Sequence, residues 1–238
     1  MNHSTIEHEA EVARRFDALQ TRFKPTLADT DYRLTAIEHI LGQVRGLAIL
    51  DLGCGKGRFS RRLEEQGARV VGLDVSREML KQGAKFDRIQ ASSARLPLAA
   101  QSIDAVIAVE VFQHVHSIDS TLREIHRVLK PKGRIVIVDK HALALNVDRP
   151  WLPNLLIKRV DERRGRGMHR ISTAVKERWF GSKALRRSLD QAGFVNSTSV
   201  GLLAPNEAAW SVFRRFEWPR AMRLWSAQSS GDSTCRQV

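Results

Sequence analysis

The chain has 238 residues, of which 39 are Lys or Arg and 26 are Asp or Glu, giving a formal net charge of +13. This length suits a single α/β domain, and no stretch is apolar enough to predict a signal peptide or a membrane span. The two cysteines, Cys54 and Cys235, do not indicate a disulfide framework. We therefore expect a soluble, cytoplasmic protein.

Two amphipathic helices are predicted at the N-terminus, over residues 5–24 and 30–44, with Pro25 between them. The second helix carries apolar residues at helical spacing. Together they define a predicted helical cap over residues 1–45. Tyr32 and Arg33 lie on the second helix and could reach an acceptor pocket, although surface placement is the simpler expectation.

A short apolar run breaks into a glycine-rich turn within residues 47–60. The run predicts a strand buried on both faces of a parallel sheet, followed by a helix beginning near Lys56. A dinucleotide fingerprint would need a third glycine where Arg58 stands. The Asp51 carboxylate would repel a phosphate but suits an ammonium group. A ligand with an adenosine, an ammonium group and no phosphate fits best, and S-adenosylmethionine is such a ligand.

A second buried strand, residues 69–75, ends in Asp74, about 20 residues beyond the turn. An acid in this place holds the two hydroxyls of a ribose by hydrogen bonds. The pattern Asp51-x-Gly-x-Gly-x-Gly57 followed by Asp74 resembles the class I S-adenosylmethionine-dependent methyltransferases, and within them the small-molecule group of ubiquinone and menaquinone biosynthesis. The resemblance covers residues 45–140 closely.

The resemblance implies a Rossmann-like, doubly wound sheet of seven mainly parallel strands, with helices on both faces and N-terminal helices over the cofactor. In the family an Asp often stands at the position of Ser93 and bonds the adenine amino group, which a serine hydroxyl can also do. Glu110 follows the fourth strand and would line the methionine end of the cofactor. The predicted cofactor-binding residues are Asp51, Gly53, Cys54, Gly55, Asp74, Val75, Ser93, Ala94 and Glu110.

Three histidines follow the fourth and fifth strands, where ligands bind in an open α/β sheet. His114, His116 and His141 are therefore candidate bases that would take a proton from the methyl acceptor. For His114 the alternative, a structural residue bonded to backbone, is the stronger one. We do not predict a metal site, because Mg²⁺ prefers carboxylate oxygens and this region has few of them. Cys54 is not expected to act as a nucleophile, since the cofactor turn would enclose it.

An insertion after the fifth strand, residues 140–181, has no clear strand pattern and is expected to cover the acceptor pocket. Gly165 and Gly167 suggest a moving lid. The predicted acceptor contacts in this insertion are Trp151, Arg163, Arg164 and Arg166.

Residues 158–187 hold 11 Lys or Arg against three acids, a basic segment suited to an anionic acceptor, a nucleic acid or a membrane surface. The simpler alternative is a solvated surface. The preferred function is methyl transfer to an O, N or C nucleophile of a small metabolite, possibly anionic or lipid-like. The alternatives are an RNA or protein methyltransferase that docks through the basic segment, and a binding protein without transfer activity.

The remaining elements follow an alternating pattern. The third and fourth strands are predicted over 86–91 and 103–109, and the fifth over 134–139 after a helix stopped by residues 130–133. Ser76, Ser117 and Ser182 are predicted to cap helices. A sixth strand over 194–203, a helix over 206–216 and a last strand over 221–226 complete a methyltransferase domain of residues 46–227, with a disordered tail at 228–238.

Overall fold

The computed structural model describes residues 3–82, 86–164, 175 and 177–230. Seven strands form one sheet: β1 Ala48–Leu52, β2 Arg69–Asp74, β3 Asp87–Gln90, β4 Ile103–Val109, β5 Leu129–Lys140, β6 Phe194–Leu202 and β7 Met222–Ser229. Their order is β3-β2-β1-β4-β5-β7-β6, with β7 antiparallel to both of its neighbours and the other pairings parallel. The predicted seven-stranded, mainly parallel sheet is confirmed.

Helices lie on both faces of this sheet and before it. They are α1 His3–Leu19, α2 Tyr32–Leu41, α3 Arg58–Glu65, α4 Arg77–Lys81, α5 Ile118–Val128, α6 Asn154–Arg163, α7 Ser182–Gln191 and α8 Ser211–Arg215. The two predicted N-terminal helices are present as α1 and α2, joined by a loop that contains Pro25. No helix among the described residues is long and apolar enough to cross a membrane.

The central strands are buried on both faces because their apolar residues alternate between two cores. Leu50, Val106 and Ile137 pack in one core, and Ile49 and Ile107 pack in the other. This packing accounts for the continuous apolar runs of β1, β4 and β5. It also fixes the carboxyl ends of these strands at one edge of the sheet, where their loops meet.

The predicted helix caps are confirmed in two of three places. Ser76 Oγ accepts a hydrogen bond from Met79 N at 3.1 Å, and Ser117 Oγ accepts one from Ser120 N at 3.2 Å. The third is wrong: Ser182 is the first residue of α7, and Gly181 occupies the capping position without a side-chain bond. The helix predicted to begin near Lys56 begins two residues later, because Gly57 holds a left-handed conformation there.

The fifth strand is longer than predicted. α5 ends at Val128, and β5 begins at Leu129, which pairs with Ile103 before the register shifts and resumes at Arg134. The segment expected to separate helix from strand is therefore a bulged start of β5. A Cβ atom at Gly133 would lie 2.9 Å from the Lys130 carbonyl oxygen, so the bulge requires a glycine at this position.

The C-terminal third differs from prediction in three places. The insertion contains α6, which the sequence pattern did not indicate. The helix predicted over 206–216 is confined to Ser211–Arg215 and follows a turn. β7 runs to Ser229, so Gln228 and Ser229 belong to the sheet rather than to the predicted tail. Residues 231–238, including Cys235, lie outside the described residues.

Candidate functional site

A cavity of about 150 Å³ opens at the carboxyl ends of β1, β2 and β4. The glycine turn after β1 forms its floor, and α1 lies across it. The cavity is where a ligand is expected in an open α/β sheet. Its charged wall consists of Glu9, Lys24, Asp51, Lys56, Arg58, Asp74, Glu110 and Lys140. Its remaining wall is mainly apolar and includes Val12, Phe16, Phe23, Phe59, Leu73, Met79, Val109 and Val111.

The glycine turn requires glycines because neighbouring side chains pack closely against it, as well as for ligand access. Gly53 and Gly57 both have positive φ angles, of 68° and 75°. A Cβ atom at Gly53 would lie 2.4 Å from Val111 Cγ2, and one at Gly57 would lie 2.1 Å from Phe86 Cε1. The turn is therefore closely packed by the loops after β4 and before β3, and a side chain at either glycine would displace them.

Asp74, at the end of β2, points its carboxylate at the glycine turn. Its Oδ2 accepts a hydrogen bond from Gly55 N at 2.8 Å, and its Oδ1 accepts one from Ser76 N at 2.8 Å. Burial raises the pKa of this carboxyl group, and the two backbone donors oppose the rise. Each oxygen keeps a second lone pair, so the group can accept further hydrogen bonds from a ligand in the cavity.

Asp51, at the end of β1, lines the cavity at only 2% exposure. Its Oδ2 accepts a hydrogen bond from Ser60 Oγ in α3 at 2.5 Å. Burial is the main cause that raises the pKa of Asp51 to about 7. A cationic ligand group near Asp51 would lower this pKa and favour the ionised form of the carboxyl group.

The Cys54 thiol is enclosed by the turn. Cys54 is buried, and burial raises the pKa of its thiol. Thiolate reactivity requires a lowered pKa and access, and neither holds here. The cysteine contributes to the cavity wall, and the expectation that it is not a nucleophile stays a prediction.

Glu110, directly after β4, adopts a positive φ of 60°, which is uncommon for a residue with a Cβ atom. Its Oε1 accepts a hydrogen bond from Arg33 Nη1 at 2.6 Å. Arg33 is in turn held by Asp31, through bonds of 3.0 Å from Nε and 2.7 Å from Nη2. The expected surface placement of Arg33 is wrong, because its side chain is only 14% exposed and reaches the cavity wall through Glu110.

Helix α1 is tied to the segments that follow β2 and β3 at the carboxyl edge of the sheet. Asp17 Oδ1 accepts hydrogen bonds from Ser76 Oγ at 2.5 Å and from Glu78 N at 3.2 Å. Glu9 Oε1 accepts one from Ser92 Oγ at 2.6 Å. These contacts hold α1 over the cavity. The sequence pattern predicted a covering helix but did not identify the residues of α1 that line the cavity.

The residues predicted to bind the cofactor near its adenine do not all line the cavity. Val75 and Ser93 line the cavity, whereas Ala94 does not. The Ser93 hydroxyl lies 3.1 Å from Thr121 Oγ1, so it is held in place and can still exchange a hydrogen bond with a ligand. Ala94 N donates to Ser92 Oγ and shapes the loop instead.

The three candidate histidines lie in different surroundings. His114 is buried and lines the cavity, and its carbonyl oxygen lies 2.8 Å from His8 Nε2. His116 lies outside the cavity wall and packs its ring against His8 at a centroid distance of 5.0 Å. His141 is 1% exposed, away from the cavity, and burial is the main cause that lowers its pKa to about 4. Of the three, the structure brings only His114 to the cavity wall, and its role as a base stays a prediction.

Of the acceptor contacts predicted in the insertion, the three that the structure describes do not line the cavity. Trp151 is 74% exposed, and Arg163 and Arg164 are exposed at the end of α6. Arg166 lies outside the described residues, as do Gly165 and Gly167. The role of these residues in acceptor binding therefore stays a prediction.

Part of the basic segment is engaged within the protein. Lys158 forms an ion pair with Glu162 and lies 5.9 Å from the ring centre of Trp179. The Arg178 guanidinium donates to the carbonyl oxygens of Val115 and His116. Neither cation is displayed freely for a polyanionic partner.

Several cavity residues were missed because their signals are weak in a single sequence. Lys56 and Arg58 stand at the glycine turn, where Arg58 was used only to exclude a dinucleotide and Lys56 only as an expected helix start. Gln113 stands inside the segment from Glu110 to His114 and was given no role. Lys140 ends β5 at the same sheet edge and could have been found by topology alone. All four line the cavity.

Comparison with known proteins adds independent evidence. Residues 50–137 match a family model described as a methyltransferase domain. The chain is 28% identical over 228 residues to a demethylmenaquinone methyltransferase of Tropheryma whipplei, covering 85% of this chain and 92% of that protein. It is 30% identical over 147 residues to a ubiquinone biosynthesis O-methyltransferase of Klebsiella pneumoniae, covering 57% of this chain and 60% of that protein.

The fold has a close counterpart among solved structures. An S-adenosylmethionine-dependent methyltransferase from Mesorhizobium loti superimposes with a TM-score of 0.64 at 24% identity, covering 84% of this chain and 99% of that one. These matches identify the chain as a methyltransferase, and its fold resembles that of the class I S-adenosylmethionine-dependent superfamily. It resembles the ubiquinone and menaquinone group within that superfamily.

S-adenosylmethionine is the cofactor of this methyltransferase. The cavity has the chemistry that such a zwitterionic, cationic nucleoside needs: carboxylates, an apolar wall and buried cations. Lys56 is 8% exposed and has no carboxylate oxygen within 4.0 Å among the described residues. A ligand carboxylate in the cavity would supply the missing counter-ion.

Proposed function

We propose that this methyltransferase transfers the methyl group of S-adenosylmethionine to a hydroxyl or carbon nucleophile of a small, quinol-like molecule. The observation that carries the proposal is the single cavity wall that brings together Asp51, Asp74 and Glu110 beside the glycine turn. The names of the two relatives favour a quinol-like acceptor. An anionic or lipid-like substituent on the acceptor is compatible with the basic insertion.

Each end of the cofactor has a matching group in the cavity. We assign the ribose hydroxyls to Asp74, whose two oxygens are already oriented by Gly55 N and Ser76 N. The adenine amino group is assigned to the Ser93 hydroxyl. The ammonium group is assigned to Asp51 and Glu110, and the carboxylate to Lys56, because opposite charges then meet in a largely buried site.

The chemistry requires alignment more than proton transfer. Bound S-adenosylmethionine would supply an electrophilic methyl carbon, to which the acceptor's nucleophile would bond as the carbon–sulfur bond breaks and S-adenosylhomocysteine leaves. The residues of this chain hold the nucleophile in line with the methyl group and exclude water from the site. Helix α1, which covers the cavity, contributes to both. His114 lines the cavity at the end of β4 and is the candidate to receive the proton of a hydroxyl acceptor. We retain Trp151, Arg163, Arg164 and Arg166 as candidate acceptor contacts.

The test is transfer of labelled methyl from S-adenosylmethionine into a host-cell extract, fractionated into small metabolites, lipids, protein and RNA. A short-chain demethylmenaquinol, kept reduced, is assayed in parallel as a defined acceptor. We expect label in the metabolite or lipid fraction and in the quinol. Label confined to protein or RNA would contradict the proposal and favour docking through the basic segment. Cofactor binding without label in any fraction would favour a binding protein.

A further inference from the structure

The backbone of Gln113 is fixed from two sides. Gln113 lies in a 3₁₀ turn, Phe112–His114, directly after β4. Its N–H donates to Asp139 Oδ2 at 3.1 Å, and its carbonyl oxygen accepts from Arg178 N at 3.0 Å. Asp139 is the penultimate residue of β5, and its other oxygen accepts a hydrogen bond from Lys140 N at 2.8 Å. The turn is therefore clamped between β5 and the end of the insertion, and the side chain of Gln113 starts from a defined position.

The side-chain oxygen of Gln113 has no donor. Gln113 is 2% exposed and lines the cavity. Its Nε2 lies 3.4 Å from the carbonyl oxygen of Glu110, whereas its Oε1 is buried without a hydrogen-bond partner among the described residues. Turning the amide over would set two oxygens against each other, so the hydrogen bond to Glu110 fixes Oε1 as the open atom. An unpaired buried acceptor is rare in native proteins and calls for an explanation.

The neighbouring cation does not satisfy this oxygen. Lys140 lines the same cavity, but its Nζ forms an ion pair of 2.6 Å with Glu177 Oε1. The same Nζ lies 5.8 Å from the ring centre of Trp179. Its position is thus set by the insertion. The Gln113 side chain lines the cavity, and no donor among the described residues satisfies its Oε1.

We propose that Gln113 Oε1 recognises the methyl acceptor by accepting a hydrogen bond from an uncharged hydroxyl or amino hydrogen on it. This inference rests on the proposed function. The cofactor's ammonium group is drawn to the carboxylates of Asp51 and Glu110 rather than to a neutral amide. A phenol or an uncharged amine matches a neutral acceptor oxygen, because neither partner then leaves an uncompensated charge in a buried site. Gln113 holds the acceptor beside Glu110, at the end of the cavity assigned to the methionine part of the cofactor.

Two variants separate recognition from packing. Gln113→Met keeps the length of the side chain and removes the accepting oxygen, and Gln113→Glu keeps an accepting oxygen in either protonation state. We expect Gln113→Met to raise the KM for a short-chain demethylmenaquinol about tenfold or more, with the Kd for S-adenosylmethionine within twofold of wild type. Gln113→Glu should recover most of this loss. The ligand-free Gln113→Met variant should melt less than about 4 °C below wild type, because it loses only the long hydrogen bond from Nε2 to the Glu110 carbonyl oxygen, and the oxygen it removes was unpaired.

The other outcomes overturn the inference. A rise in the Kd for S-adenosylmethionine with an unchanged KM would assign Gln113 to the cofactor. A melting temperature about 4 °C or more below wild type would show that the oxygen is already satisfied inside the folded protein. If the wild type binds no S-adenosylmethionine, the proposed function has failed. If it binds the cofactor but leaves the quinol unmodified, the choice of acceptor has failed, and the melting comparison alone decides the role of Gln113.

Discussion

Arg33 on α2 and Glu110 after β4 are joined by a hydrogen bond of 2.6 Å between Nη1 and Oε1, 77 residues apart in the chain. Asp31 holds the other side of the same guanidinium and also caps α2 through the N–H groups of Arg33 and Leu34. The start of α2 is thereby tied to the cofactor cavity. The conformation of Glu110 depends on a residue far away in sequence.

We expect Arg33→Met to weaken binding of S-adenosylmethionine about tenfold, because it leaves the Glu110 carboxylate beside Asp31 without its counter-ion. Titration calorimetry measures the loss. A double-mutant cycle with Glu110→Gln should give a coupling energy of about 1 kcal/mol or more. Arg61→Met is the matched control, since Arg61 pairs with Glu65 on the surface. Equal effects of Arg33→Met and the control would rule out the proposed link.

Helix α1 should control how long the cofactor stays bound. Asp17→Ala removes the acceptor for Ser76 Oγ and Glu78 N, and loss of such a cap typically costs about 1 kcal/mol. We expect faster dissociation of S-adenosylmethionine in stopped-flow displacement, with a smaller change in the association rate. Glu11→Ala is the control, because Glu11 bonds only to Arg14 on the same helix in the described residues. An unchanged dissociation rate in Asp17→Ala would contradict a covering role for α1.

Two glycine substitutions separate the cost of a steric collision in the glycine turn from the cost of backbone strain alone. Gly57→Ala and Gly42→Ala both place a Cβ atom on a residue with positive φ, of 75° and 70°. Only at Gly57 does that atom collide with a neighbour, Phe86, at 2.1 Å, whereas nothing lies within 4 Å at Gly42. Chemical denaturation should show Gly57→Ala to be less stable than Gly42→Ala by about 1 kcal/mol or more. Equal losses would mean that the turn moves freely away from Phe86.

The buried Asp139 predicts a specific dependence of stability on pH. Burial raises the pKa of Asp139 to about 8 from an ordinary value of 3.8. The folded protein therefore keeps a proton that the unfolded chain releases, and this contribution to the free energy of unfolding falls as the pH rises from about 4 to 8. The stability of wild type relative to Asp139→Asn should decrease across pH 5, 6.5 and 8 in urea unfolding. A difference that is constant or grows with pH would contradict this assignment.

The sequence was sufficient for the parts of the site that depend on local pattern. Buried strands, the glycine turn and the acid after β2 follow from apolar runs, glycine spacing and strand ends, and the structure has them where they were predicted. The insertion was harder, because α6 has no buried residue to create a periodic apolar face. Its three arginine candidates were chosen by charge, and charge does not determine where a side chain points.

The remaining site residues depend on tertiary contacts that no local pattern encodes. Glu9 and Phe16 reach the cavity because α1 docks on loops more than 50 residues away. Gln113 stands out only when its oxygen is seen to lack a donor. His141 was placed near the site by its position after β5, but its ring is buried away from the cavity.

Calorimetric titration of S-adenosylmethionine into wild type, Asp74→Ala and Asp87→Ala tests the central claim most directly. Asp87 is exposed at the start of the neighbouring strand β3 and does not line the cavity, so its variant controls for loss of a carboxylate outside the site. Circular dichroism establishes that all three proteins are folded. We predict saturable binding to wild type and Asp87→Ala, and no measurable binding to Asp74→Ala. Wild-type affinity in folded Asp74→Ala would contradict the assignment of the cofactor's ribose to this cavity.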